Sequence, residues 1–398
     1  PAPLPHTRPA AAPYWTDFRG PNRDGHYDEM PILTHWPTNG LPALWRQPIG
    51  GGYGSLVVAE GLAFTVEQRR ELEVAVAYDL ETGREVWTNS WPALFQETMG
   101  GDGPRATPTY HAGRIFAQGA EGELRCLEAA TGRKVWSRNI LTDNAAGNVS
   151  YGMAASPLVV DGMVIVQPGG ANGKSVAAYD EATGTNVWKA LSDPAAYSSP
   201  MVVNLAGERQ LLIVTATRAV GLTLDGGKLL WEHPWIVKLE NRNIAQPVIL
   251  STNRFFLSAG YGTGSTAVEI TRTGSTFCAQ TVWQNKSLKN KFASSVLWQG
   301  YVYGLDEDIL TCLDAATGER KWKDGRYNYG QLLLASGHLV ILGGDGVLAL
   351  VKATPERLEE LARFPALQGK TWNHPALAQG KLLVRNAVEM ACFDLSGR

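Results

Sequence analysis

Short apolar runs alternate with polar residues at period two along the whole chain, and turn residues punctuate them. That pattern predicts strands joined by tight hairpins. One unit repeats. Tyr78-Asp79-Leu80-Glu81-Thr82-Gly83 leads to Val86-Trp87, Leu127-Glu128-Ala129-Ala130-Thr131-Gly132 to Val135-Trp136, and Tyr179-Asp180-Glu181-Ala182-Thr183-Gly184 to Val187-Trp188. Leu224-Asp225-Gly226-Gly227 before Leu230-Trp231 and Leu313-Asp314-Ala315-Ala316-Thr317-Gly318 before Trp322 are further copies. Trp283 ends a degenerate copy, and Phe364 fills the slot in another. The Asp starts a turn by bonding its own backbone, and the Gly takes positive φ without steric cost. The Trp of the following strand offers a large flat face to a neighbouring sheet.

A second signal precedes each hairpin. Ala155-Ser156-Pro157-Leu158-Val159-Val160-Asp161-Gly162, followed by Val164-Ile165-Val166, is one copy. Thr107-Pro108, Ser199-Pro200, Gln246-Pro247 and His374-Pro375 mark the same slot elsewhere. Each unit therefore holds about four strands, as propeller blades do. The Trp slot falls at Trp45, Trp87, Trp136, Trp188, Trp231, Trp283, Trp322 and Phe364, spaced by 39 to 52 residues. Phe393 to Arg398 lacks a final Trp strand, while Leu44-Trp45-Arg46-Gln47-Pro48 is a Trp strand with no hairpin before it. The expected fold is all-β: an eight-bladed β-propeller of four-stranded antiparallel blades, the last blade closed by the N-terminal strand. Residues 1–43 read as a tether and extension, and 44–398 as the propeller. Closure leaves no long sheet edge free, which favours a monomer. Trp15 and Trp36 are expected to pin the extension to the outside of the barrel. Pro355–Ala362, with Pro at its start and acids in its first turn, reads as a helical excursion on blade seven.

Composition narrows the function classes. Thirty-six basic residues against 38 acidic ones argue against nucleic acid as a partner and do not favour a polybasic membrane anchor. Hydrophobic content of 44% with 19% charge is enough for a real core. No apolar run of 18 or more residues exists to span a bilayer as a helix. Pro1–Pro13 reads as a flexible tether, suited to a mature secreted protein whose signal was removed or to a trimmed chain. Cys126, Cys312 and Cys392 occupy equivalent repeat positions, which should not meet in a ring, so these and Cys278 are expected to be buried, reduced thiols.

Candidate chemistry sits just ahead of the first strand of each blade. Aligning blades on the Pro slot gives one column of Tyr53, Arg105, Ala154, Tyr197, Ile244, Phe292, Tyr329 and Trp372. Two residues on lies a second, Ser55, Thr107, Ser156, Ser199, Gln246, Ser294, Gln331 and His374. The first column is expected at the mouth of the central channel and the second inside it. The second column reads foremost as small hydroxyls packing the channel around ordered water. With Arg242, Lys289 and Lys291 near the same mouth, the candidate ligand-binding set is Arg105, Tyr53, Tyr197, Trp372, His374, Gln246, Tyr329, Arg242 and Lys291. Arg105 follows a Gly-rich stretch, Gly100 to Gly103, where backbone can approach a ligand. Its planar fork suits carboxylate or carbonyl oxygens; pairing with Asp102 is the competing role. Gly169 to Ser175 mimics a phosphate loop but reads as a hairpin turn. The seven His show no metal-ligand spacing, and Asp306-Glu307-Asp308 reads as a solvated turn.

The repeat of Asp, Gly and Trp at intervals of four resembles the tryptophan-docking motif of quinoprotein-like (PQQ-like) propellers. That superfamily includes pyrroloquinoline quinone (PQQ) dehydrogenases and the BamB-type outer-membrane assembly lipoprotein. Asp17-Phe18-Arg19-Gly20-Pro21-Asn22-Arg23-Asp24-Gly25 and Gly101 to Pro108 resemble uncharacterised PQQ-like repeat proteins of planctomycete-type bacteria. The resemblance covers about residues 44–398. It implies a periplasmic or extracellular protein with one of two roles. The first is a non-catalytic binding or scaffold protein that presents its channel mouth and blade loops to a protein, peptide or saccharide, with no cofactor. The second is a PQQ- and Ca²⁺-dependent oxidoreductase acting on an alcohol or sugar. Dehydrogenase members often carry adjacent cysteines, and no Cys-Cys pair occurs here. The first role is the expectation.

Overall fold

The computed structural model describes residues 14–239 and 242–397. Eight antiparallel sheets follow one another around a ring. Blades one to seven span 57–92, 109–139, 158–190, 201–234, 248–285, 296–326 and 331–365. Blade eight combines three strands from 376–394 with Ala43–Pro48, which pairs with Glu389–Asp394 as its outer strand. Alternation puts one face of each strand against each neighbouring blade, and the core is a series of clusters between blades.

The repeated motif is a joint between blades. Asp79 Oδ1 accepts from Thr82 N at 2.8 Å, and Asp180 and Asp314 repeat this bond at 2.8 and 2.9 Å. The turn glycine follows at positive φ, 69° at Gly83 and at Gly184. A Cβ on Gly83 would lie 2.5 Å from the Trp45 ring, and one on Gly184 2.7 Å from Trp136. The indoles of Trp45, Trp87, Trp136, Trp188 and Trp283 thus lie on the turn of the next blade. Trp45, Trp87 and Trp136 donate Nε1 hydrogens to the carbonyls of Leu80, Ala129 and Glu181 at 3.0, 2.8 and 2.9 Å. Trp231 instead donates to Gln210 Oε1 of its own blade at 2.6 Å. In seven blades the pairing of the outer two strands slips directly before the Trp; in blade seven it slips between Glu360 and Ala362, so Ala362, and not Phe364 as expected, takes the Trp register. Such a bulge re-aims a side chain, here toward the neighbour.

Residues 15–27 of the N-terminal extension run inside the ring, against expectation for Trp15, whereas Trp36 packs edge-on against Phe364 of the outer strand of blade seven. His26–Tyr27 adds a parallel strand to the inner edge of blade seven. The carbonyls of Trp15, Thr16 and Gly25 accept from the inner-strand amides of Val58, Tyr110 and Leu334, each at 2.8 Å. Inner strands have one unpaired edge facing the channel, and unpaired buried amides are costly. The extension satisfies them, which an outer position could not do. Arg19 and Arg23 are buried within the ring. Arg23 bonds the carbonyls of Ser156 and Pro200 at 3.1 and 2.9 Å, contacts that of Pro157, and pairs with Asp17 at 2.9 Å. Arg19 reaches Ser295 O at 2.8 Å.

Three further expectations need correction. Pro355–Ala362 holds no helix; Glu360–Pro365 is the outer strand of blade seven, where pairing with Val347–Lys352 outweighs helix propensity. Cys278 is exposed, because the outer hairpin of blade five, Gly264–Thr273 and Thr276–Asn285, extends beyond its neighbours' length. Asp306 is buried rather than solvated. Burial opposes its ionisation, but bonds from Lys289 at 2.5 Å and Lys323 at 2.6 Å hold its pKa below the ordinary value. The phosphate-loop mimic is a hairpin turn closed by Gly170 and Lys174.

Candidate functional site

The approaches to the eight inner strands surround a cavity of about 490 Å³ at one end of the ring. Every residue of the first aligned column lines it: Tyr53, Arg105, Ala154, Tyr197, Ile244, Phe292, Tyr329 and Trp372. Arg242, Lys291 and His374 line it as well. The plug closes it from below, with Phe18 edge-on to His374 at 5.8 Å between centroids.

Most of the second column faces sideways. Its polar atoms accept from the backbone amide of the corresponding residue one blade earlier. Ser55 N donates to Thr107 Oγ1 at 2.9 Å, Thr107 N to Ser156 Oγ at 3.0 Å, and Ser156 N to Ser199 Oγ at 2.9 Å. Ser199 N donates to Gln246 Oε1 at 2.6 Å and Gln246 N to Ser294 Oγ at 3.0 Å. Ser55 Oγ closes back on His374 O at 2.6 Å. These side chains form a belt that ties blade to blade. Gln246 belongs to the belt and is absent from the cavity lining, with its Nε2 donating to Ser199 O at 3.1 Å.

Cations at the mouth rest on aromatic faces. The Arg105 guanidinium lies 4.6 Å from the Phe95 centroid and 5.4 Å from that of Tyr53. Arg242 lies 4.7 Å from Tyr151 and 5.1 Å from Tyr261. Lys291 Nζ is 4.7 Å from Tyr329 and 5.4 Å from both Tyr261 and Phe292. Lys370 Nζ is 4.5 Å from Trp372 and 5.6 Å from Tyr53. Such contacts contribute about 0.5–2 kcal/mol each. They leave N–H groups of Arg105 and Lys291 to meet an anion, while Lys370 Nζ also donates to the Gly100 carbonyl. Arg105 does not rely on Asp102 for hydrogen bonds; it donates to the carbonyls of Gly101 and Gly103. Burial lowers its pKa, opposed by Tyr53, Glu97, Asp102 and Glu73. Lys289 is taken up by Asp306.

Among the described residues no carboxylate lines the cavity. No group of three or more His, Cys, Asp or Glu among them could hold a metal. Calcium takes six to eight oxygens, mostly carboxylate and carbonyl. The lining supplies the Ser156 and Ser294 hydroxyls and the Gln331 amide, whose Nε2 is committed to Phe292 O and Trp372 O at 3.0 Å. These residues suit an anionic aromatic body, but they do not fit a calcium–quinone centre or provide a carboxylate base. His374 contacts Pro375 O at 2.7 Å and Leu332 O at 3.0 Å, and burial together with Arg19 lowers its pKa to about 3.

Phe18, Phe95, Met99, Tyr151, Leu239, Tyr261 and Lys370 were not legible as mouth residues. They lie in the N-terminal segment, on loops or at a hairpin tip, outside the aligned columns, and no spacing rule reports which way a loop folds.

No described helix is long and apolar enough to cross a membrane. Among curated proteins, the chain is 25% identical over 208 residues to 1-butanol dehydrogenase (cytochrome c) of Thauera butanivorans, covering 51% of this chain and 28% of that protein. It is 29% identical over 200 residues to a quinohemoprotein alcohol dehydrogenase of Comamonas testosteroni, covering 48% and 27%. The matched segment is thus little more than a quarter of either relative's length. Among solved structures, BamB from Moraxella catarrhalis aligns with TM-score 0.64 at 14% identity, over 89% of this chain and 100% of that one. The quinohemoprotein alcohol dehydrogenase ADHIIG of Pseudomonas putida HK5 aligns at 0.67 and 13%, over 97% and 80%. At these identities the likeness establishes the fold. The family described as outer membrane protein assembly factor BamB matches residues 70–324, well over half of the chain, and the chain belongs to that family.

Proposed function

We propose that this chain is a non-catalytic, exported binding protein, and that its binding site is the funnel at the channel mouth. The observation that carries the reading is the composition of the lining: three cations and a wall of aromatic rings, with no carboxylate among the described residues. Aromatic faces stack on flat or sugar rings, and guanidinium and ammonium groups recognise anions. A cavity closed from below by Phe18 favours a small molecule or a short terminal group over a threaded chain. Membership of a family described as an outer-membrane assembly factor supports export and a binding role. The indole-to-turn contacts support reading the repeat as a docking motif, and the closed ring supports a monomer.

Native mass spectrometry of protein purified from its own source tests the reading. A small anionic ligand should be retained, and Arg105→Ala should release it. Stoichiometric binding of PQQ with Ca²⁺, followed by dye reduction with an alcohol, would overturn the non-catalytic reading in favour of a dehydrogenase.

A further inference from the structure

The mouth cations fall into two groups on opposite walls. Lys370 precedes blade eight and Arg105 precedes blade two, and both lean on Tyr53, which precedes blade one. Arg242 precedes blade five and Lys291 precedes blade six, and both lean on Tyr261 of blade five. In a ring of eight, blades one and five stand opposite each other. The walls between the groups add no further charge, and Arg242 and Lys291 reach over Tyr151 and Tyr329 at their edges. Tyr151, Ala154, Tyr197 and Ile244 occupy one side, and Phe292, Tyr329 and Trp372 the other. Phe292 and Trp372 lie 4.6 Å apart with their rings 36° from parallel.

A single anion can meet Arg105 with Lys370, or Lys291, and leaves the cation at the other end facing it across the cavity. A ligand with an anionic group at each end satisfies both, and its second contact forms at high effective concentration once the first is made. We infer that the funnel takes a two-ended dianion: a small, flat-bodied molecule with carboxylates at opposite ends. One end would meet Arg105 and Lys370, the other Lys291 beside Arg242, with the body against the aromatic walls. This rests on the reading of the mouth as a binding site and adds the class of ligand.

Isothermal titration calorimetry of the full chain at low salt tests it. One arm uses benzene-1,4-dicarboxylate, naphthalene-2,6-dicarboxylate and biphenyl-4,4′-dicarboxylate, each beside its monoacid. A second arm uses glucarate beside gluconate, for a sugar body. In at least one arm a diacid should bind about tenfold or more tighter than its monoacid, as for one extra charged hydrogen-bonded contact. Lys370→Gln and Lys291→Gln, both at partly or fully exposed side chains, should each weaken the diacid by about tenfold. Each should barely change the monoacid, which keeps the other end as an alternative site. Equal affinity for diacid and monoacid, or a diacid loss from only one of the two variants, would refute the two-ended geometry and leave the binding site standing. If no acid in either arm binds, the site reading fails and the inference with it.

Discussion

Ser156 is held from two directions: its backbone carbonyl accepts from Arg23 Nη1 at 3.1 Å, while its hydroxyl accepts from Thr107 N at 3.0 Å. The plug and the belt that ties the blades therefore meet at one residue. Replacing Arg23 by Ala strips the carbonyls of Ser156, Pro157 and Pro200 of a charged donor within the ring. The expected cost is on the order of 3 kcal/mol. Lys352→Ala, which removes an exposed 3.7 Å pair with Glu359, should cost less than about 1 kcal/mol. Urea denaturation compares the two; equal midpoints would show that the plug does not stabilise the ring.

Arg105 holds a loop and offers N–H groups to the mouth at once. Arg105→Ala should lower stability by about 1 kcal/mol, through loss of the Gly101 and Gly103 bonds. It should lower affinity for the diacids by about tenfold. Hydrogen exchange should quicken in residues 97–105 and nowhere in the blades. A normal affinity with a loosened loop would make Arg105 a loop anchor alone.

His374 predicts acid sensitivity. Its ordinary pKa of 6.5 falls to about 3 in the folded chain, so the unfolded state binds the extra proton between those values. The stabilisation is complete above about 6.5 and is lost as pH falls toward 3, at up to about 1.4 kcal/mol per pH unit for one proton. His374→Gln should flatten the stability profile over pH 4–6.5 relative to the parent chain. Parallel profiles would mean that the imidazole charges freely in the folded state.

The thiols separate cleanly. Cys126, Cys312 and Cys392 are buried, and burial pushes each up to about 12. Cys278 is exposed on the outer strand of blade five. A maleimide reagent should add one label to the native protein and three more after denaturation. Two or more native labels would show a blade opening.

Much of this was readable from residue order because the repeat has a physical cause at each position. The Trp slot is legible because in five blades the indole lies against a turn glycine of the next blade, where a Cβ would collide with it. Aligning on the Pro slot brings Tyr53, Arg105 and Trp372 to one cavity because inner strands begin at equivalent heights. Position alone does not fix direction. Gln246 and Ser156 share a column and both join the belt, yet only Ser156 also lines the cavity. The inner segment of the extension was misplaced because Trp15 signals burial without saying against which surface, and the order of residues does not show that Arg19 and Arg23 meet channel carbonyls. Cys278 shares no repeat position with the other thiols, and hairpin length decided its exposure.

The strand that closes the ring is among the first made. Ala43–Pro48 has no partner until Glu389–Asp394 exists, so the chain completes its closing sheet only after seven blades can already have stacked. Until then the faces of blades one and eight have no neighbour to cover them, and pairings of such long sequence separation form slowly. The ring is therefore shut by one pairing across most of the sequence, and the time it stays open sets its exposure to aggregation.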